Sequence, residues 1–254
     1  LHLVSDSSKF RRVKVTSLTR GATVGAAGAM LITSGLLLGA ARPVTAAPSE
    51  EAPDCDEVAC VALTFDDGPG KYTEALLDTL AEHDARATFY LLGSKVGDHS
   101  EEVRRMAEEG HGIGNHTWKH DDLTTLSHDR IRDDLARTDR AVAEVTGERP
   151  RSMRPPYGAL DDTAREAIPH PMVLWDVDTL DWQHRDGDRM REIALDGVGD
   201  GSVILFHDIH ETTVEAIPAL LDDLTEEGYH FVTVSELFGD DLEPGTAHTD
   251  ARSG

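Results

Sequence analysis

Cationic residues are scarce in this chain: 24 Lys and Arg stand against 48 Asp and Glu, a formal charge of −24. That balance argues against nucleic acid or an anionic membrane surface as a partner, because both are bound chiefly through Lys and Arg. Cysteine is scarcer still. Cys55 and Cys60 are the whole complement, and no second pair or nearby His completes four ligands, which argues against a cysteine zinc site. No dinucleotide-type glycine fingerprint follows the first strand-like run, and no internal repeat stands out. What is present is a short acidic signature, Thr64-Phe65-Asp66-Asp67-Gly68-Pro69. It places two adjacent carboxylates where the apolar run Val61-Ala62-Leu63 ends and a turn begins. Side chains diverge at a strand end, so Asp66 and Asp67 can have separate environments. A solvated turn is the plain alternative.

The basic residues that do occur are concentrated early. Lys9, Arg11, Arg12, Lys14 and Arg20 precede an uncharged stretch over 21–41 that contains the apolar run 30–38. Val44-Thr45-Ala46 resembles a cleavage site, so residues 1–46 read as a signal peptide. The stretch of 21 uncharged residues is also long enough for a membrane anchor, the one membrane contact expected if it is not cleaved. Arg11-Arg12 is a weak hint of twin-arginine export. Residues 1–47 hold six basic residues and one acidic residue, which leaves 18 against 47 and a formal charge of −29. In an exported chain Cys55 and Cys60 are expected to form a disulfide, a staple in a linker over 47–60. So short a loop would constrain the unfolded chain by about 2 kcal/mol.

From Val61 to Phe238 strand-like and helix-like segments alternate. Helices are expected over 74–83, 101–109, 128–146 (with Ser127 as cap), 189–195 and 213–227. Strands are expected over 87–92, 111–115, 171–176, 202–206 and 230–234. Alternation of this kind predicts an α/β fold with a parallel sheet. About seven strands without a dinucleotide fingerprint favour a barrel. Residues 240–254 lack apolar periodicity and read as a disordered tail.

Four further segments carry chemistry. His116 and His120 are four apart, a spacing that on a helical turn puts both imidazoles on one face. The metalloprotease pattern needs Glu after the first His, and Thr117 stands there instead. With Asp67 the two form a His₂Asp set that leaves a position open for water; two polar loop histidines are the alternative. Arg154 in Arg154-Pro155-Pro156-Tyr157-Gly158 is held by two prolines and suits a bidentate pair with a carboxylate. Asp178-Thr179-Leu180-Asp181-Trp182 follows the strand around Trp175. Ile204-Leu205-Phe206-His207-Asp208 ends another, where His207 could donate a proton with a carboxylate on its other nitrogen.

These five segments, in this order, resemble the polysaccharide deacetylase family, also called the NodB-homology domain or carbohydrate esterase family four. The resemblance covers about 61–239 as a single catalytic domain. It implies a distorted (β/α) barrel and metal-dependent removal of acetyl groups from sugar polymers. Carried over, Asp66 is the expected general base, and Asp67, His116 and His120 are the ligands of one divalent ion, zinc or cobalt. Arg154 would orient Asp66 and keep it ionised. The Tyr157 N–H would help hold the oxyanion, and His207 steered by Asp178 would be the general acid. Trp182 and Leu205 would enclose the acetate methyl group. The expected protein is a secreted or cell-wall-associated monomer. It would remove N-acetyl groups from N-acetylglucosamine polymers of peptidoglycan or chitin type. An acetylxylan esterase and a non-catalytic cell-wall carbohydrate-binding protein are the competing readings.

Overall fold

The computed structural model describes residues 52–253. The expected signal peptide or anchor over 1–46 lies outside the described residues. None of the described helices is long and apolar enough to cross a membrane. Among the described residues there are eight strands: β1 Cys60–Asp66, β2 Thr88–Leu91, β3 Gly112–Asn115, β4 Met172–Val173, β5 Val177–Asp178, β6 Ser202–His207, β7 His230–Phe231 and β8 Ala247–His248. All of their pairings are parallel, in the order β3-β2-β1-β6-β5, with β7 beside the start of β1. Parallel strands need crossovers, and helices supply them.

The ring closes through two short devices. Met153 bridges Asn115 on one side and Met172 on the other. The segment from Met172 to Asp178 then bends, its first half beside Met153 and its second half paired with β6. The distorted barrel is the expected architecture, but the strand expected over 171–176 shortens to β4, Met172–Val173, and β5, Val177–Asp178, follows beyond its expected end.

Strand alternation sorts β1 into two faces. Leu63 and Phe65 face the helix layer, where Phe65 stacks on Phe89 and Phe206 with ring centroids 5.4 Å apart. Helix Thr73–Glu82 buries Thr73, Leu76, Leu77 and Leu80, the i, i+3, i+4, i+7 stripe. Helix Glu211–Glu226 adds Ile217, Leu220, Leu221 and Leu224 to the same cluster. Each such side chain stabilises the fold by about 1.5–3 kcal/mol on burial. Ala62 faces a second cluster with Tyr90, Val173 and Val203, and Thr64 and Asp66 follow on the same face. The barrel interior therefore turns polar toward the carboxyl ends of its strands.

Cys55 and Cys60 form the expected disulfide, with Cα atoms 5.5 Å apart. Helix His128–Thr146 has the expected bounds and ends at left-handed Gly147. Ser127 occupies its N-cap, but the hydroxyl makes no capping bond. The segment read as the end of a strand at 230–234 instead turns into helix Val234–Phe238, capped by Thr233 with Glu236. The tail is also different. β8 pairs with β4, and Ala251 N–H donates to Gly201 O at 2.9 Å. The free edge of β4 offers backbone groups that need partners, and a two-residue strand is too short to leave a periodic pattern.

Candidate active site

Asp66 is the last residue of β1, buried, and Asp67 leaves the strand with φ 70°. The turn is tied down from behind. Lys95 Nζ donates to Asp67 O at 2.7 Å and Leu92 N–H to Gly68 O at 2.9 Å. Gly68 lies against the Asp208 carboxylate, so a Cβ there would collide with it. Thr73 Oγ1 in turn donates to Asp208 and accepts from Gly70 N–H at 2.8 Å.

His116 and His120 flank a tight turn rather than a helical one, with positive φ at Thr117 (68°) and His120 (66°). The expected shared face is thus reached without a helix. His116 Nδ1–H donates to Arg154 O at 2.7 Å, which leaves Nε2 facing Asp67 Oδ1 at 3.6 Å. His120 Nε2 lies 3.5 Å from the same oxygen. One atom from each of Asp67, His116 and His120 falls within 4.8 Å of the others. Burial pushes the His116 imidazole down to about 3 against the pull of Asp67, so its Nε2 lone pair is free at neutral pH. Asp67 Oδ1 is buried with no hydrogen-bond partner among the described residues. An orphaned carboxylate oxygen facing two imidazole nitrogens fits a divalent cation.

Arg154 is fully buried inside the barrel. Its Nε donates to Val173 O (2.9 Å), Nη2 to Leu174 O (2.6 Å), and Nη1 to both Thr64 Oγ1 (2.8 Å) and Asp66 Oδ1 (2.9 Å). The pair with Asp66 is therefore end-on through one nitrogen, not bidentate, because the other donors are engaged by backbone carbonyls. Tyr90 places its ring 4.3 Å beneath the guanidinium. Burial raises the Asp66 carboxyl above its usual range while Arg154 opposes the shift. A carboxylate held this way is a stronger base than a solvated one.

His207 ends β6 in register with Asp66. Its partner is Asp181 rather than Asp178. Asp181 Oδ1 accepts from His207 Nδ1–H at 2.8 Å, and Asp181 Oδ2 accepts from His207 N–H and Thr213 Oγ1, each at 2.8 Å. Asp178 is spent on the local turn, accepting from Leu180 N–H at 2.9 Å. Leu180 then adopts a left-handed conformation (φ 56°), and the chain returns Asp181 to His207. Burial alone would depress His207, but the hydrogen bond and charge of Asp181 outweigh it and raise its pKa, with Asp66 and Asp67 adding. Burial would likewise raise Asp181, and His207 more than reverses that.

The remaining expected residues ring this center. Tyr157, left-handed at φ 61° in the turn Pro156–Gly158, exposes a ring set edge-on to His120 at 4.5 Å. Trp182 is about half exposed, and Leu205 is buried on β6 two residues before His207. Sequence reasoning missed Asp181, Thr213, Asn115, Lys95 and Asp208 as supports. Asp181 stood in the same five-residue segment as Asp178, and only the left-handed turn between them separates their roles.

The polysaccharide deacetylase profile matches residues 54–170. The peptidoglycan-N-acetylglucosamine deacetylase PgdA of Listeria monocytogenes is 42% identical over 191 residues, 75% of this chain. That match spans 41% of the Listeria protein's length. A solved structure described as T48 deacetylase with substrate is 48% identical with a TM-score of 0.75, covering 77% of this chain and 99% of that one. A family 4 acetyl xylan esterase from Clostridium thermocellum, solved with a cobalt ion, is 32% identical with a TM-score of 0.71, covering 75% and 98%. The chain belongs to the polysaccharide deacetylase family.

Proposed function

We propose that this chain is a secreted, metal-dependent polysaccharide N-deacetylase acting on N-acetylglucosamine polymers of peptidoglycan or chitin type. The observation that carries the reading is the division of labor at the end of β1. Asp67 Oδ1 faces both imidazoles, while Asp66 approaches His116 alone, at 3.7 Å, and its other oxygen is held by Arg154 at 2.9 Å. Asp67, His116 and His120 would hold one divalent ion, zinc or cobalt. Such an ion supplies Lewis-acid polarisation of the acetyl carbonyl and acidifies water.

Asp66 takes the proton of the attacking water, and Arg154 keeps the carboxylate oriented toward it. The Tyr157 N–H shares the negative charge that develops on the acetyl oxygen. His207, whose protonated form Asp181 favors, delivers a proton to the departing sugar nitrogen. A positioned acid and a positioned base each contribute about 10²–10⁴ in rate. Trp182 and Leu205 bound the space for the acetyl methyl group. The Cys55–Cys60 disulfide supports an oxidising destination. Likeness to an acetyl xylan esterase at 32% identity favors a second reading, hydrolysis of O-acetyl groups by the same residues. A non-catalytic binding protein would not need Asp66, the ligand set and His207 together.

Acetate release from chitin oligomers, peptidoglycan and acetylated xylan, each with and without chelator, tests the reading. N-acetyl substrates should be cleaved and chelator should stop it. Release from xylan alone would move the assignment to the esterase. Asp66→Asn should keep the metal and lose most of the acetate release; equal release from the two proteins would sink the role of Asp66.

A further inference from the structure

The turn bearing His116 and His120 has no regular secondary structure, and two of its residues sit in the left-handed region. Side chains adopt that region only where the surroundings hold them there. Helix His128–Thr146 supplies the hold. Asp134 Oδ1 accepts from Trp118 N–H at 2.7 Å on the outer side of the turn. On the inner side Asn115, fully buried, accepts Thr117 N–H on Oδ1 at 2.8 Å. Asn115 Nδ2 donates to Leu135 O at 2.9 Å and to Asp139 Oδ1 at 2.7 Å. Both partners of Nδ2 are acceptors, so the amide has one orientation, and that orientation presents Oδ1 to Thr117.

Asp139 is buried and 6% exposed, and nothing in the proposed reaction uses it. Its second oxygen accepts from His170 Nε2–H at 3.1 Å. A relay therefore runs from His170 through Asp139 and Asn115 to the turn between the two imidazoles. Its carboxylate makes the Asn115 bond charge-assisted, about twice as strong as a neutral one.

We propose that Asp139, steadied by His170 and acting through Asn115, is a positioning residue that sets the geometry of the His116–His120 turn for metal. The inference rests on the reading of Asp67, His116 and His120 as ligands. Loss of an outer partner of a metal ligand typically costs about 10–100-fold in metal affinity, and that is the loss expected for Asp139→Ala.

Cobalt(II) is the probe, with affinity read by chelator competition and ligand geometry by the visible absorption of the bound ion. Asp139→Ala should bind cobalt about 10–100-fold more weakly with an altered spectrum. Asp139→Asn keeps an acceptor for Asn115 Nδ2, and His170 can switch tautomer to accept from the new amide, so affinity and spectrum should return close to wild type. Asn115→Ala combined with Asp139→Ala should add little to Asn115→Ala alone, as expected for groups acting through one another. Asp139→Leu, closer in volume, carries the test if the alanine cavity unfolds the chain. A folded Asp139 variant lacking the acceptor, yet with wild-type affinity and spectrum, overturns the inference even if its melting temperature falls. Additive losses in the double variant overturn it too. A wild-type chain that takes up no cobalt overturns the ligand reading itself, and this inference with it.

Discussion

Asp181→Asn is the most informative single change at the proposed acid. The amide keeps the shape and can still accept from His207, but it removes the charge that raises the imidazole pKa against burial. A hydrogen bond to a charged group contributes about 1.5–3 kcal/mol, or about 10–150-fold in rate at 1.36 kcal/mol per tenfold. That loss is expected in kcat/KM near neutral pH. The direction of the pH effect follows from the role. His207 acts protonated, so activity falls as pH rises through its pKa, and in Asp181→Asn this alkaline limb should move to lower pH. Stability follows the same group. Below the unfolded value near 6.5 His207 is charged in both states and the pair's contribution is complete. It is lost as pH rises through the raised folded value. Acetate release across pH, together with NMR titration of the His207 ring, measures both effects. Asp178→Asn is the control, because that carboxylate serves only Leu180 N–H among the described hydrogen bonds. An alkaline limb that moves in Asp178→Asn but not in Asp181→Asn would refute the assignment.

Two other perturbations test the interior. Arg154→Leu leaves Asp66 buried without its cation, a change that typically costs about 3–5 kcal/mol. At about 2–4 °C per kcal/mol for a domain of this size, scanning calorimetry should record a fall of about 6–20 °C. Burial unopposed raises Asp66 further, so the acid limb of activity should move to higher pH. His111, buried behind β3, is held down to about 4 by desolvation. Stability is complete above about 6.5 and is lost as pH falls toward 4, by up to about 3 kcal/mol. In urea titrations His111→Gln, which keeps an acceptor for Ala87 N–H, should flatten that slope; an unchanged slope would place the acid sensitivity elsewhere.

The parts of the fold set by periodicity were legible in the sequence. The inward placing of Leu76 and Leu80 and the alternation of β1 follow from side-chain geometry, whereas Ala75, which the spacing also puts inward, is exposed and Leu77 is buried in its place. What escaped is short or long-range. β8 is two residues long, and its pairing with β4 depends on an edge that only the closed barrel creates. The five segments named the residues at the center because each motif is local. The pairing of His207 with Asp181 is not local: 26 residues separate them, and the choice over Asp178 turns on the backbone at Leu180. The Arg154 fork was misjudged for a similar reason, since its remaining donors are claimed by carbonyls of β4 and its neighbor, which the motif does not include.

Met153 and Arg154 are adjacent, and their two jobs are inseparable. Met153 supplies the bridge between β3 and β4, and the next residue places its guanidinium on Asp66 while its carbonyl fixes the tautomer of His116. The contact that seals the barrel is the one that installs the counter-charge for the proposed base and orients a proposed metal ligand. A chain with every strand formed but this seam open would have Asp66 in water, unpaired, and a histidine free to spin. The proposed acetate release is therefore a readout of this seam: a chain with its helices intact but the seam open should release no acetate, and recovery of activity after denaturation should coincide with barrel closure.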